Sequence, residues 1–446
     1  VSQLADRLAT AITAGAPFRL PGGGSGIESE YMLPMTLRDG IYPLDVRGDV
    51  LATGPGGTKL IVETESFYLG PNDEYFRTDE DAQAAGGRPN DFGEMAIPEI
   101  IFGVMGNLPS ERRGNLDQAF SAYADIERRL ESVPGRPGSD PAFPLSRVFT
   151  PERGWTLTRL GRGTLIGPRP IGDTRGANVH HNIGVPLGVV HPFLRHVRDH
   201  TWRDESRGYL TRKHLDDALL FASTVASRFI YWKATGRFTN DLDIVSRLVN
   251  IPDPSVKLLR DHVTLLYVHG AALANGNISG ALQKAHAAVL VRQDPATILA
   301  HIPQDAKDFL RSDAENILAA FERMLRTRIP DFDRRYYRLL GSNDNRRFSL
   351  LDLPLDVDHT RRTRDFLLSG LVETHQPQTG LQHAFTMTVL PHLDTNDGRT
   401  LAMAVLEVRS YGDQIVTAQT MQTHHTRLIE VVRSLNQRAE RLHNPT

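Results

Sequence analysis

Gly26-Ile27-Glu28-Ser29-Glu30-Tyr31 near one end of the chain and Val405-Leu406-Glu407-Val408-Arg409 near the other decide the reading of this sequence. Each sets charged side chains at alternate positions of an otherwise apolar stretch. In an extended strand alternate residues share a face, so Glu28 and Glu30 point one way together, as do Glu407 and Arg409. Burying like charges side by side is costly unless a cation neutralises them. A divalent metal is therefore the leading expectation for the first pair, although an edge strand with two acids on its wet face would read the same. An exposed ion pair is the plain alternative for the second, but its flanks, Leu401–Leu406 and Val408, are apolar. A carboxylate beside a guanidinium suits a site that holds both metal and phosphate.

Working outward, Gly22–Gly26 breaks the chain before a first strand at Ile27–Leu33. That glycine run lacks the Gly-Lys-Ser/Thr ending of a phosphate-binding loop and reads as a turn. Further strands are expected at Thr58–Leu69 and Met95–Val104, with Asp73–Asp91 between them a surface loop. A short helix is expected at Val1–Ala14 and a further helix at Leu116–Val133. Ser139–Pro170 reads as loops with short strands, and Asn178–Val185 as a strand. From His196 to about Tyr337 the pattern turns helical, with three-to-four spacing over Leu210–Ala234, Ser255–Ala274, Ala296–His301 and Asp305–Arg328. Strands return at Gln382–Leu393 and Arg399–Ser410 around the turn Asp394–Gly398, and a helix over Gln414–Arg441 closes the chain. Strands, then a helical block, then a strand hairpin predict an α+β protein whose antiparallel sheet is assembled from both ends of the chain. The predicted divisions are 1–195 for the first part of the sheet domain, 196–345 for the helical block, and 346–446 for the final hairpin and helix.

In Val179-His180-His181-Asn182-Ile183-Gly184-Val185, parity sets His180 and Asn182 on one face and Val179, His181, Ile183 and Val185 on the other. The second set suits a core, so His181 reads as structural, while His180 and Asn182 are left facing a cavity.

The bulk properties exclude several classes. The 446-residue chain has 40% hydrophobic and 23% charged residues and a net charge of -2, a soluble globular balance with no broad attraction to nucleic acid or membrane. It has no cysteine, which removes disulfides, thiolate chemistry and iron–sulfur clusters. No apolar run approaches the roughly 18 residues that span a bilayer, and a cytoplasmic location is the default expectation.

Together these segments resemble glutamate–cysteine ligases and, more widely, the glutamine synthetase-like carboxylate–amine ligases. Gly26-Ile27-Glu28-Ser29-Glu30 is similar to their first-strand signature. His180–Pro186 is similar to a His-Val-His-Val-Gly-Val segment, with Asn182 in place of its second His. Leu406–Arg409 is similar to their Glu-x-Arg strand, and Pro98–Val104 more loosely to the strand that supplies another metal carboxylate. The resemblance implies that the sheet beside the large helical block is of the glutamine synthetase and guanido kinase type, and it implies ATP and Mg2+ or Mn2+. It implies metal ligation by Glu28, Glu30, His180 and Glu407, with Glu99 as a third-strand ligand and Glu63 or Glu65 as alternatives. It places Asn182 on phosphate or ribose and Arg409 on the transferring γ-phosphoryl group; Lys284 and Arg292 are further candidates for phosphate, against a plain solvated helix face.

The implied reaction is amide formation through an acyl phosphate from small-molecule carboxylate and amine substrates. Gly103-Val104 stand where the family has Thr-Pro, and the helical block matches nothing in it. The alternatives are a phosphotransferase on the same fold, a protein-modifying effector toxin with a protein acceptor, or a catalytically degenerate binding protein.

Overall fold

The computed structural model describes residues 24–31, 35–38, 48–55, 58–69, 75–76, 79–89, 92–106, 143–167, 177–201, 212–241, 253–278, 287–328, 349–352, 362–373, 392–394, 400–409, 411–412 and 416–443, with single positions 46, 121, 124, 128 and 248. The expected helix at Val1–Ala14 and most of the one at Leu116–Val133 lie outside them. The architecture is α+β with antiparallel strand pairing, and the chain divides into two units.

The first unit contains Gly24–Asn182 and Asp413–Arg427. Its strands are β1 (Gly24–Tyr31), β2 (Met35–Leu37), β3 (Val50–Thr53), β4 (Lys59–Leu69), β5 (Tyr75–Phe76), β6 (Phe92–Gly106), β7 (Phe143–Pro144), β8 (Thr156–Leu157), β9 (Thr164–Ile166) and the start of β10 (Ala177–Pro186). They run in the order β10-β1-β6-β4-β3-β8, with β5 on the side of β4, while β2-β9-β7 form a separate small sheet. Helices α1 (Asp79–Ala84) and α2 (Arg159–Gly163) are short. The stretch expected as a loop, Asp73–Asp91, thus holds β5 and α1, whose periods are too brief to register in sequence.

One face of the larger sheet is apolar. Ile27, Leu60, Val62, Ala96, Ile100 and Phe102 pack there with Met35, Trp155 and Met421. All six lie at one parity on β1, β4 and β6, so pleating sends their neighbours to the opposite face. The pairing of β1 with β6 is antiparallel and shifts by one residue between Ser25 and Ile27. The extra residue falls on β6 at Gly103-Val104.

The second unit contains Ile183–Gly412 and Leu428–Thr446. Its helices are α3 (Val190–Asp199), α4 (Arg212–Thr235), α5 (Pro254–Ile278), α6 (Pro295–Leu299), α7 (Gln304–Arg328) and α8 (Thr363–Ser369). Strands β11 (Val289–Val291) and β12 (His392–Asp394) each pair antiparallel with β13 (Thr400–Val408). The last helix, α9 (Ala418–His443), sends Met421 into the first core and Leu428 and Ile429 into the second.

Helical packing is close: a Cβ on Gly270 would meet the Phe321 ring at 2.6 Å and Leu367 at 2.7 Å. Helix α3 starts at Val190, six residues before the expected change of character, and Val189 at its N-cap offers no side-chain acceptor. Asp261 of α5 supplies the cap instead, accepting from the backbone N–H groups of Gly188, Val190 and His191 at 2.8, 2.8 and 3.0 Å. Those are the donors a helix start leaves unsatisfied. Burial pushes the Asp261 carboxyl up to about 6 against these bonds.

Candidate metal centre

Strand β1 divides its side chains as alternation requires. Ile27 is buried in the apolar core and the Ser29 hydroxyl donates to Met421 Sδ at 3.6 Å. Glu28 and Glu30 leave from the other face. Directly opposite Glu30 in the antiparallel register is Glu99 of β6. Residues opposed in this way share a face. Glu30 is 9% exposed and Glu99 6%, so two acids stand side by side with little water. Such a pair calls for a cation or a proton.

Strand β10 completes the arrangement. Val179 and His181 turn to the core; Asn178, His180 and Asn182 turn to the acids. His180 is 2% exposed, with Nδ1 3.9 Å from Glu28 Oε2 and 3.9 Å from Glu30 Oε1. Asn182 Nδ2 donates to Glu28 Oε1 at 3.1 Å. Asn178 Nδ2 donates to Glu30 Oε2 at 3.0 Å and lies 3.2 Å from His180 Nε2. Each carboxylate therefore gives one oxygen to an asparagine and turns the other toward the imidazole. A spacing of 3.9 Å is too long for a hydrogen bond. It suits two ligands of one hard cation, since bonds of about 2.0–2.1 Å set opposed ligands roughly 4 Å apart. Glu28 and His180 meet that condition, with ligand atoms within 4.8 Å of each other.

On the core side His181 Nδ1 lies 3.2 Å from His425 Nδ1, and His425 Nε2 lies 3.0 Å from Ser25 Oγ. Burial first, then repulsion from His425, His424 and His180, holds His181 well below the ordinary imidazole range. It is a neutral packing residue, as its parity suggests.

Among the described residues Glu63 is not grouped with these ligand atoms. Glu63 is half-buried on β4, opposite Ile97 and two residues beyond Ile61, the partner of Glu99. It shares the acidic face but not the register position next to Glu30, and its Oε1 accepts from the Thr64 N–H at 2.9 Å. Glu65 lies one step further along β4. Lys284 lies outside the described residues. In the second unit Glu407 is 2% exposed and ion-paired with Arg292 Nε at 3.0 Å and Arg409 Nε at 3.2 Å. Arg292 follows strand β11, which corrects its assignment to a helix face. Its backbone N–H donates to the Val405 carbonyl, and that of Arg409 to the Ala288 carbonyl. Asn178 is the contact that the sequence reading passes over, although stepping the His180–Asn182 parity back by two residues reaches it.

No protein-family model and no curated protein matches this sequence. Among solved structures, a VgrG Vibrio cholerae toxin ACD domain mutant in complex with ADP and Mn++ is similar at 10% identity and a TM-score of 0.39, over 89% of this chain and 96% of that one. A Vibrio cholerae toxin from the MARTX/VgrG family is similar at 10% identity and a TM-score of 0.37, over the same shares. Likenesses this distant carry no weight for the fold or the chemistry, which rest on the residues described above.

Proposed function

We propose that the protein is an ATP-dependent carboxylate–amine ligase that works with Mg2+ or Mn2+. The observation that carries the metal is the meeting of His180 with Glu28 and Glu30 while buried Glu99 stands opposite Glu30. The ligase class comes from the four motifs and their order along the chain. In this reading Glu28, Glu30, Glu99 and His180 hold the cation, and the resemblance adds Glu407 to the ligands and assigns Arg409 to the phosphoryl group in transfer.

Hard cations of this kind neutralise phosphate oxygens and are bound through carboxylates and the phosphates themselves. The chain's part is positioning and charge. Asn182 and Asn178 fix the outer oxygens of Glu28 and Glu30, which keeps the inner oxygens aimed at His180. Glu407 holds the Arg409 guanidinium in place from the neighbouring alternate position. The substrate carboxylate attacks the γ-phosphorus, and the bond from that phosphorus to the ADP oxygen breaks. The amine nitrogen then attacks the acyl carbon, inorganic phosphate leaves, and the nitrogen gives up a proton.

The test is ADP release over pooled amino acids and amines with Mn2+ or with chelator, followed by mass spectrometry. An amide product with free phosphate, dependent on cation, is expected. A stable phosphorylated acceptor would instead make the protein a phosphotransferase. ATP binding that chelator leaves unchanged, with no turnover, would make it a binding protein and end the ligase reading.

A further inference from the structure

We propose that Asn178 is a positioning residue that selects which ring nitrogen of His180 carries its proton, and so whether the nitrogen facing the acids can bind a cation. The inference rests on the metal-centre reading and deepens it.

The argument starts from what each atom can do. The Glu30 carboxylate only accepts, so the Asn178 group 3.0 Å from its Oε2 must be the amide nitrogen. That same nitrogen stands 3.2 Å from His180 Nε2. An amide nitrogen has hydrogens to give and no lone pair to offer. Nε2 is therefore the acceptor, which puts a ring proton on Nδ1, the atom 3.9 Å from both Glu28 and Glu30. In this state Nδ1–H is directed at the carboxylates.

A cation held there needs the Nδ1 lone pair, so the proton must move to Nε2. Nε2–H then needs an acceptor, as ligating histidines regularly require on their far nitrogen. Turning the Asn178 amide over about its last torsion puts Oδ1 in that place, with the same atoms and no net change in protonation. The bond to Glu30 Oε2 is given up in the same movement. Asn178 thus holds the ring in one tautomer without cation and in the other with it.

Two variants separate this from a packing role. Asn178→Asp turns a carboxylate oxygen to Nε2, with the charge beside Glu30 met by a proton that the two acids share, and should place the ring proton on Nε2 before any cation is added. Asn178→Leu keeps similar bulk and presents neither. The measurement is 15N NMR of histidine-labelled protein, with His180→Gln to identify the signals, together with Mg2+ titration. Wild type should show Nδ1–H without cation and Nε2–H with it. The Asp variant should show Nε2–H throughout and bind Mg2+ more tightly, and the Leu variant should bind about 10-fold more weakly. Nε2–H in cation-free wild type, or Nδ1–H in the Asp variant, would overturn the proposal. If no form bound Mg2+, the ligase reading would fail while the cation-free spectra still decided the role of Asn178.

Discussion

Acid should unfold the helical unit well before it affects an ordinary protein of this composition. Four histidines are buried there in neutral form: burial first pushes His191 and His269 down to about 3, and His214 and His262 down to about 4. Their contacts explain the neutral state. His262 Nε2 donates to the Gly370 carbonyl at 2.6 Å and His269 Nε2 to the Val291 carbonyl at 2.9 Å. His191 Nδ1 lies 3.3 Å from the Thr264 hydroxyl, and His214 stacks on Tyr267. Because the folded pKa lies below the unfolded value, the unfolded chain binds more protons in acid. Stability is complete above about pH 6.5 and is lost as pH falls toward the folded values. At about pH 5 each histidine costs roughly 2 kcal/mol, or about 8 for the four. Asp261, raised instead to about 6, returns about 1 kcal/mol in the opposite sense at that pH. The net loss of about 6–7 kcal/mol is comparable with a whole domain's stability of about 5–15 kcal/mol.

The assay is urea denaturation followed by helical circular dichroism at steps from about pH 7.5 to 5. His214→Phe, which keeps a ring against Tyr267, should shift the acid loss downward by one histidine's share. A loss under about 2 kcal/mol across that range would refute the reasoning.

Three further outcomes are expected. Glu30→Gln removes one of the two acids in register, so without divalent cation it should stabilise the fold by up to about 1 kcal/mol, while the rise in melting temperature with Mn2+ should disappear. Asp313→Ala strips the partner from buried Arg228, bonded to it at 2.8 Å, and should cost about 3–5 kcal/mol by thermal or urea denaturation. Asp261→Ala should cost about 3 kcal/mol, because three backbone donors lose their acceptor, and hydrogen exchange should quicken first at the start of α3.

What could be read from the sequence was periodic and local. The alternation in β1 and β10 was legible because each strand has one apolar face, and that parity separates His180 from His181. Helices α4, α5 and α7 announce themselves by three-to-four spacing over many turns. Strands β3 and β11 do not, since three or four residues contain no measurable period. Helix α3 hides for another reason: its capping acid lies 71 residues away in sequence from the Val190 N–H that it accepts. The choice between Glu99 and Glu63 likewise depends on strand register, a property of two segments at once. Asn178 went unseen because an amide at a strand's start looks like an ordinary boundary residue until its partners are known.

Helix α9 contributes no ligand, yet its first turns wall the back of the strands that carry Glu28, Glu30 and His180, through Met421 against Ser29 and His425 against His181. Proteolytic nicking between 409 and 418 followed by release of the tail should therefore silence the centre as thoroughly as removing an acid, although every candidate ligand would still be present.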